Sequence, residues 1–286
     1  EKIDLKDKKA VSKLFSDYTF DGIIHFAAHK SVNESVNYPE KYFSNNVGSL
    51  ENIIAEIKLL ENPINFIFSS SCTVYGQADS MPINESFPLK KAESPYGESK
   101  KMCEEILKKL NKSNHSFKNI TLRYFNPIGA HPTGLIGELP IGTPENLVPY
   151  ITQTAVGKRD FLSVFGDNYK TKDGTCIRDY INIMDLAEVH IACLEKLIAV
   201  EDENFFKIYN VGTGKGTSVF ELINLFENVN DIKLNYKIGD RRKGDVISAY
   251  ADTTKIKEEL SWSTKYSLEN ALKSAWNWEL NLNKDE

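Results

Sequence analysis

The sequence predicts an α/β fold, a doubly wound parallel sheet followed by a smaller C-terminal α/β lobe. Three observations carry this expectation: three helix-then-strand repeats in the first half of the chain, strands without polar alternation, and a proline-rich change of texture beyond Phe125. An apolar run with no polar face reads as a strand covered on both sides, as in a parallel sheet with helices on each face.

The first repeat opens at residues 7–18, where Ala10, Val11, Leu14, Phe15 and Tyr18 share one helical face, and Gly22-Ile23-Ile24-His25-Phe26-Ala27-Ala28 follows as a buried strand. In the second, residues 39–60 present Leu50, Ile53, Ile54, Ile57 and Leu60 as a helix ahead of the strand Asn65-Phe66-Ile67-Phe68-Ser69. The third pairs a helix over 96–110, with Met102, Ile106, Leu107 and Leu110 on one side, with the strand Ile120-Thr121-Leu122-Arg123-Tyr124. Beyond it, Pro127, Pro132, Pro140, Pro144 and Pro149 interrupt a long irregular stretch. Helical patterns return at 146–156, 184–197, 218–227 and 267–280, with strand-like segments at 207–211 and 233–238. The expected division is residues 1–127 and 128–286, with some later segments returning to the first sheet. Ligands of such sheets sit outside the carboxyl ends of the strands, so function is sought after Ala28, Ser69 and Tyr124.

Composition narrows the function. The 286 residues carry 35 basic and 40 acidic side chains, a net charge of -5 with no basic block, which argues against non-specific nucleic-acid binding and for small-molecule partners. No apolar run approaches the ~20 residues of a membrane span and no signal segment opens the chain, so a cytoplasmic protein is the default expectation. Cys72, Cys103, Cys176 and Cys193 lack C-x-x-C spacing and read as buried thiols, without disulfide or zinc. His25 and His29 flank a strand-like run rather than sharing a helix face, so no metal site is expected. Gly212-Thr213-Gly214-Lys215-Gly216 lacks the spacing of either nucleotide fingerprint and reads as a turn before a helix at Ser218.

The chemistry gathers after the strands. Ser69-Ser70-Ser71-Cys72-Thr73-Val74-Tyr75-Gly76 is followed by Ser94-Pro95-Tyr96-Gly97-Glu98-Ser99-Lys100. Tyr96 and Lys100, four apart at a helix start, lie on one face. A phenol with pKa near ~10 is a poor base at neutral pH, but an ammonium beside it favours the phenolate and lowers that value. A strand-end serine adds a hydroxyl that can donate to and accept from a substrate hydroxyl.

These motifs, with Arg123-Tyr124-Phe125-Asn126-Pro127-x-Gly129-Ala130, resemble the extended short-chain dehydrogenase/reductase superfamily. Within it, Ile24-His25-Phe26-Ala27-Ala28-His29-Lys30 with Asn33-Glu34-Ser35, Asp173-Gly174-Thr175-x-x-Arg178-Asp179-Tyr180 and Arg241-Arg242-x-Gly244-Asp245 are similar to UDP-glucose 4-epimerases. The resemblance implies a Rossmann-type domain, NAD, and epimerisation at C4 of a UDP-hexose through a 4-keto sugar. It implies Tyr96 as base, Lys100 as tuner and ribose ligand, Ser71 as partner of O4, and Thr73 as an auxiliary donor. Cofactor contacts would be Asp4 and Leu5, then Phe26, Ala27, Ala28, His29 and Lys30, then Asn45 and Phe125. Substrate contacts would be Asn126, Asn146, Ser163, Val164, Phe165, Arg178, Arg242 and Asp245, the arginine forks suiting a diphosphate. Ala249 aligns with a pocket-wall position, where a small side chain leaves room for an N-acetyl group. The helices at 39–60 and 96–110 resemble those that pair across a two-fold axis in a homodimer.

Competing expectations are a 4,6-dehydratase or 4-reductase, an epimerase of another UDP-sugar, and a non-catalytic dinucleotide sensor. Dehydratases of this kind place an acid beside the strand-end serine, where this chain has Cys72, Thr73 and Val74. In the resembled family a strand, a Gly-x-x-Gly-x-x-Gly turn and a helix precede the match to Ile3-Asp4-Leu5, and no such fingerprint occurs here. The expectation is that about 50 residues are absent at the amino end, leaving an unpaired sheet edge, half a cofactor site and poor NAD binding.

Overall fold

The computed structural model describes residues 1–113, 117–242 and 245–282. Along the first part run α1 (Lys8–Asp17), β1 (Gly22–His25), α2 (Val32–Asn37), α3 (Pro39–Tyr42), a π turn (Phe43–Val47), α4 (Gly48–Ile57), β2 (Ile64–Ser71), α5 (Pro95–Lys112) and β3 (Phe117–Tyr124). Next come β4 (Asn126–Ile128), α6 (Leu147–Ala155), β5 (Leu162–Phe165), β6 (Ile177–Arg178), β7 (Tyr180–Asn182), α7 (Ile183–Ala199) and β8 (Phe206–Val211). The chain ends with β9 (Thr217–Ser218), α8 (Val219–Asn230), β10 (Tyr236–Gly239), β11 (Ser248–Ala249), α9 (Thr254–Leu260) and α10 (Leu268–Leu282).

Two compact units result. The first comprises Glu1–Gln77, Glu85–Tyr124 and His190–Asn210; the second comprises Ala78–Asn84, Phe125–Val189 and the described residues from Val211 onward. In the first unit the sheet order is β1-β2-β3-β8, with β1 and β2 and β2 and β3 paired parallel and Ser71 level with Tyr124. Its core joins Val11 of α1, Leu50, Ile53 and Ile54 of α4, Phe66 and Phe68 of β2, Leu107 of α5 and Phe117 of β3. Each such side chain, once buried, contributes about 1.5–3 kcal/mol, which holds these helices on the sheet.

The second unit has short ladders: β4 with β7, β10 with β5, and β11-β6-β9. Ile128, Val148, Ile151, Leu162, Val164, Leu222, Phe226 and Leu272 form its core. Ser218 caps α8, its hydroxyl accepting from Glu221 while the Glu221 carboxylate accepts from the Ser218 amide.

Three expectations need correction. The strand read over 22–28 stops at His25, where pairing with β2 ends at Phe68, and Phe26 is 57% exposed. The helix read over 39–60 is broken by the π turn, where the Asn46 carbonyl accepts from Cys103 Sγ of α5 at 3.4 Å and from Ser49 Oγ at 3.5 Å. The strand read over 233–238 is the exposed β10, starting only at Tyr236. A short helix, α2, was not expected; Ser31 caps it by accepting from Glu34 N at 2.9 Å.

Candidate active site

In the first unit the site begins at the carboxyl end of β2. Ser71 caps the following single-turn helix (Cys72–Tyr75): its Oγ accepts from Thr73 N at 3.2 Å and from Thr73 Oγ1 at 3.0 Å. Both acceptor positions of Ser71 are thereby filled, so its own proton is directed outward as a donor. Ser94 starts α5 by accepting from Gly97 N at 3.2 Å, and Pro95 stands in the first turn, where a missing N–H costs nothing. This puts Tyr96 on the first turn of α5. A Cβ on Gly97 would stand 3.1 Å from the Thr73 carbonyl, so glycine lets α5 approach the Ser71 turn this closely.

Lys100 is 3% exposed; its Nζ donates to the Ser69 carbonyl at 2.6 Å and lies 5.0 Å from the centre of the Phe68 ring. Burial drives its pKa down to about 8, against the opposing pull of Cys103 and Glu104. Burial drives Tyr96 the other way, up to about 12, with Ser71 acting to lower it and Cys72 to raise it. In this structure burial is the largest influence on the Tyr96 phenol. Desolvation penalises the charged form of both groups and dominates, while the ammonium is engaged by the Ser69 carbonyl.

Side chains that the motif reading missed hold this arrangement. Glu104, one turn beyond Lys100, accepts from Ser70 Oγ at 2.5 Å and takes both arms of Arg123 at 3.0 and 2.6 Å. Arg123 also donates to Tyr75 Oη at 2.8 Å. Tyr124 Oη lies 2.6 Å from His190 Nε2, and the His190 ring centre is 4.9 Å from that of Phe26. Asn46, in the π turn, bonds both the amide and the carbonyl of His29. The Ser-Ser-Ser run and the Arg-Tyr-Phe-Asn motif point to these strand ends, but their helix partners have no local signal.

The expected cofactor residues of this unit are spread more widely. Phe26, Ala27 and Lys30 are exposed beyond β1, Ala28 and His29 half-buried. Asn45 gives its amide to Asn46 Oδ1 at 3.1 Å. Asp4 accepts from Lys6 N at 2.9 Å and Leu5 gives its carbonyl to Asn52 Nδ2 at 2.9 Å, both in the turn before α1.

In the second unit, Arg242 lies over the Phe165 ring at 4.7 Å and pairs with Asp245 at 3.0 and 3.2 Å, while Arg178 stands 3.9 Å from the same carboxylate. Phe165, Arg178, Arg242 and Asp245 are thus brought together; Ser163 and Val164 precede Phe165 on β5, and Ala249 is level with Arg178 across β11 and β6. Phe125 is buried, with its amide on the Val211 carbonyl, and Asn126 begins β4. Asn146, ahead of α6, donates to Glu138 at 3.0 Å. Gly244 of the Arg-Arg-x-Gly-Asp motif lies outside the described residues.

The glycine-rich turn before Ser218 wraps a carboxylate of the chain itself. Asp179, fully buried, accepts from Thr213 N at 2.8 Å, Thr213 Oγ1 at 2.6 Å, Gly214 N at 3.0 Å and Ala251 N at 3.1 Å. Amides that could cradle a phosphate are already occupied, and a Cβ on Gly212 would come within 2.4 Å of Asp179.

The chain that carries the strand-end serine, the helix-borne tyrosine and lysine and, in its second unit, the arginine–aromatic cluster is similar to known proteins. The family model described as GDP-mannose 4,6 dehydratase matches residues 1–275. UDP-glucose 4-epimerase 2 of Arabidopsis thaliana is 46% identical over 279 residues, 98% of this chain and 79% of that protein. The chain belongs to the UDP-glucose 4-epimerases. Among solved structures, the UDP-glucose 4-epimerase from Bifidobacterium longum in complex with NAD+ and UDP is 38% identical with a TM-score of 0.93, covering 100% of this chain and 84% of that one. The UDP-Glc/GlcNAc 4-epimerase from Campylobacter jejuni is also 38% identical, with a TM-score of 0.81 and coverage of 98% and 83%.

For an epimerase of this family the dinucleotide must fit residues present here, and on one side they do. Lys100 is a buried ammonium with a single acceptor among the described residues, leaving N–H groups able to reach a ribose hydroxyl, and the exposed Phe26 and Ala27 offer apolar surface at the parallel strand ends.

Proposed function

We propose that the chain interconverts UDP-glucose and UDP-galactose by NAD-dependent epimerisation at C4, through a 4-keto sugar. The observation that carries this reading is the arrangement of Ser71, Tyr96 and Lys100 at the carboxyl end of the sheet, with the Ser71 hydroxyl committed to donate. NAD, when bound, supplies a reversible hydride acceptor. As the phenolate, Tyr96 would take the O4 proton as C4 is oxidised, and as the phenol it would return that proton to the 4-keto oxygen on reduction, so that one side chain serves both directions. Ser71 donates to hold the O4 oxygen or the phenolate in line, and Thr73 keeps Ser71 in that role. Lys100 holds the nicotinamide ribose. Its charge, still largely present at neutral pH with a pKa of about 8, favours the phenolate once Tyr96 gives up its proton. Asp4 and Leu5, Phe26 to Lys30, Asn45 and Phe125 complete the cofactor set. Arg178, Arg242 and Asp245 with Asn126 and Asn146 take the diphosphate and ribose, and Ser163, Val164 and Phe165 the uracil.

The dehydratase reading lacks a carboxylate at Cys72, Thr73 or Val74, and the sensor reading has to explain an intact Ser71, Tyr96 and Lys100. The reading extends to a cytoplasmic homodimer pairing through the helices of 39–60 and 96–110, in keeping with exposed Met102 on α5; no described helix is long and apolar enough to cross a membrane. The test is conversion of UDP-galactose to UDP-glucose with NAD present. Tyr96→Phe should lower kcat by about 10²–10⁴-fold, and equal rates for wild type and variant would exclude the mechanism.

A second substrate class is favoured by Ala249, whose small side chain is level with Arg178. UDP-N-acetylglucosamine should be turned over as well, and Ala249→Tyr should remove that activity while sparing UDP-glucose.

A further inference from the structure

Asp179 stands between β6, which ends at Arg178, and β7, which begins at Tyr180, so the chain changes ladders at this one residue. Its backbone joins both sides of the change: the amide donates to the Ala249 carbonyl at 3.0 Å, and the carbonyl accepts from the Asn126 amide at 2.9 Å. The fully buried carboxylate draws in the 213–214 turn and grips the 249–251 segment a second time. Oδ1 accepts from the amide and the hydroxyl of Thr213, and Oδ2 from the amides of Gly214 and Ala251. Gly214, at φ 78°, lets successive amides turn onto one acceptor, and Gly212 leaves room for it. Among the described residues these partners are all neutral donors, so dipoles rather than a cation offset the burial of the charge. Charge-assisted bonds in so dry a place are strong and directional tethers.

We infer that Asp179 is a positioning residue for substrate recognition: its carboxylate and backbone set Asn126, Arg178 and Ala249, which come from separate stretches of the chain, at a fixed spacing to one another. The inference rests on the proposed UDP-sugar site for its functional consequence. An asparagine of the same shape turns an NH2 group onto two of the four donors. Either the 213–214 turn or the 249–251 segment is then released, and the expected substrate contacts lose their common anchor.

The test measures UDP affinity by calorimetry and UDP-galactose kinetics for wild type, Asp179→Asn, Thr213→Val, Thr213→Ser and Phe226→Leu, with folding followed by circular dichroism and urea titration. Phe226 is fully buried in the core of the same unit and makes none of these bonds, so its variant separates lost stability from lost positioning. Asp179→Asn should weaken UDP about tenfold and raise KM to match, with kcat within about threefold and NAD affinity within about twofold of wild type. Thr213→Val, which removes one hydroxyl donor, should weaken UDP about threefold, and Thr213→Ser should restore it. Phe226→Leu should lose stability with UDP affinity within about twofold of wild type. Unchanged UDP affinity in a folded Asp179→Asn, or in Thr213→Val where Asp179→Asn does not fold, would overturn the inference, as would an equal loss of affinity in Phe226→Leu. A wild type that binds UDP but epimerises no UDP-hexose removes the functional reading alone, and the UDP affinities of the variants still decide.

Discussion

His25 closes β1 with its ring stacked beside Phe66 and Phe68, centroids 6.2 and 6.0 Å away. Burial, helped by the Lys100 charge, lowers its pKa from 6.5 to about 4. Because the folded value lies below the unfolded one, protonation favours the unfolded chain. The stability that neutral His25 contributes is complete above pH 6.5 and drains as pH falls towards 4, by about 3 kcal/mol at the low end. His25→Phe, which keeps a ring in the stack, should therefore lose less stability between pH 7 and pH 4.5 than the wild type in urea titrations. Asp179 works in the opposite sense: burial raises its carboxyl, so its ionised form costs stability above the unfolded carboxylate value and that cost is relieved on acidification. The same reasoning separates what spacing can and cannot tell about Tyr96 and Lys100. Four residues on a helix put both on one face, but the shift of each depends on depth below the surface, and depth is a property of what packs around α5.

The element that matters most is α5, and its hold on the sheet is ionic as well as apolar. Glu104 and Arg123 are both within 4% of complete burial, tie α5 to β2 and β3, and leave few of their polar atoms without partners. Removing one member strands the other charge. Glu104→Leu or Arg123→Met alone should cost about 3–5 kcal/mol in chemical denaturation, while the double replacement should recover much of the loss. Tyr96 and Lys100 share this helix, so the single variants should also reduce turnover, and the double variant restores stability before activity. Long regular elements were readable because periodicity averages over many residues: β2, β3 and α5 each differ from their expected bounds by only a few positions. The π turn was not, since one inserted residue leaves the apolar spacing of Leu50, Ile53, Ile54 and Ile57 intact. Two-residue strands such as β6 and β11 carry no period at all and are created by the ladder they join.

At the scale of the molecule, the proposed proton-transfer set of Ser71, Tyr96 and Lys100 belongs to one compact unit and the Phe165, Arg178, Arg242 and Asp245 cluster to the other. The chain passes into the second unit first at Ala78–Asn84, which composition does not mark, and again at Phe125, near the division expected at 127 where proline content changes. The return of His190–Asn210 to the first unit is invisible in composition because α7 runs unbroken through Val189 and His190. On the proposed assignment, this distribution makes nucleotide recognition and proton transfer separable. Arg242 offers a planar fork to Asp245 and a flat face to Phe165, and a lysine keeps the charge while losing both. Arg242→Lys should weaken UDP binding about tenfold, or about 1.4 kcal/mol by calorimetry, whereas Tyr96→Phe should leave UDP affinity within about twofold of wild type. The converse holds for NAD: Lys100→Met should lower its affinity, and Arg242→Lys should not. A Tyr96→Phe variant that lost UDP affinity as severely as Arg242→Lys would mean that the phenol contributes to nucleotide binding as well as to proton transfer, and the assignment of one role to each unit would fall.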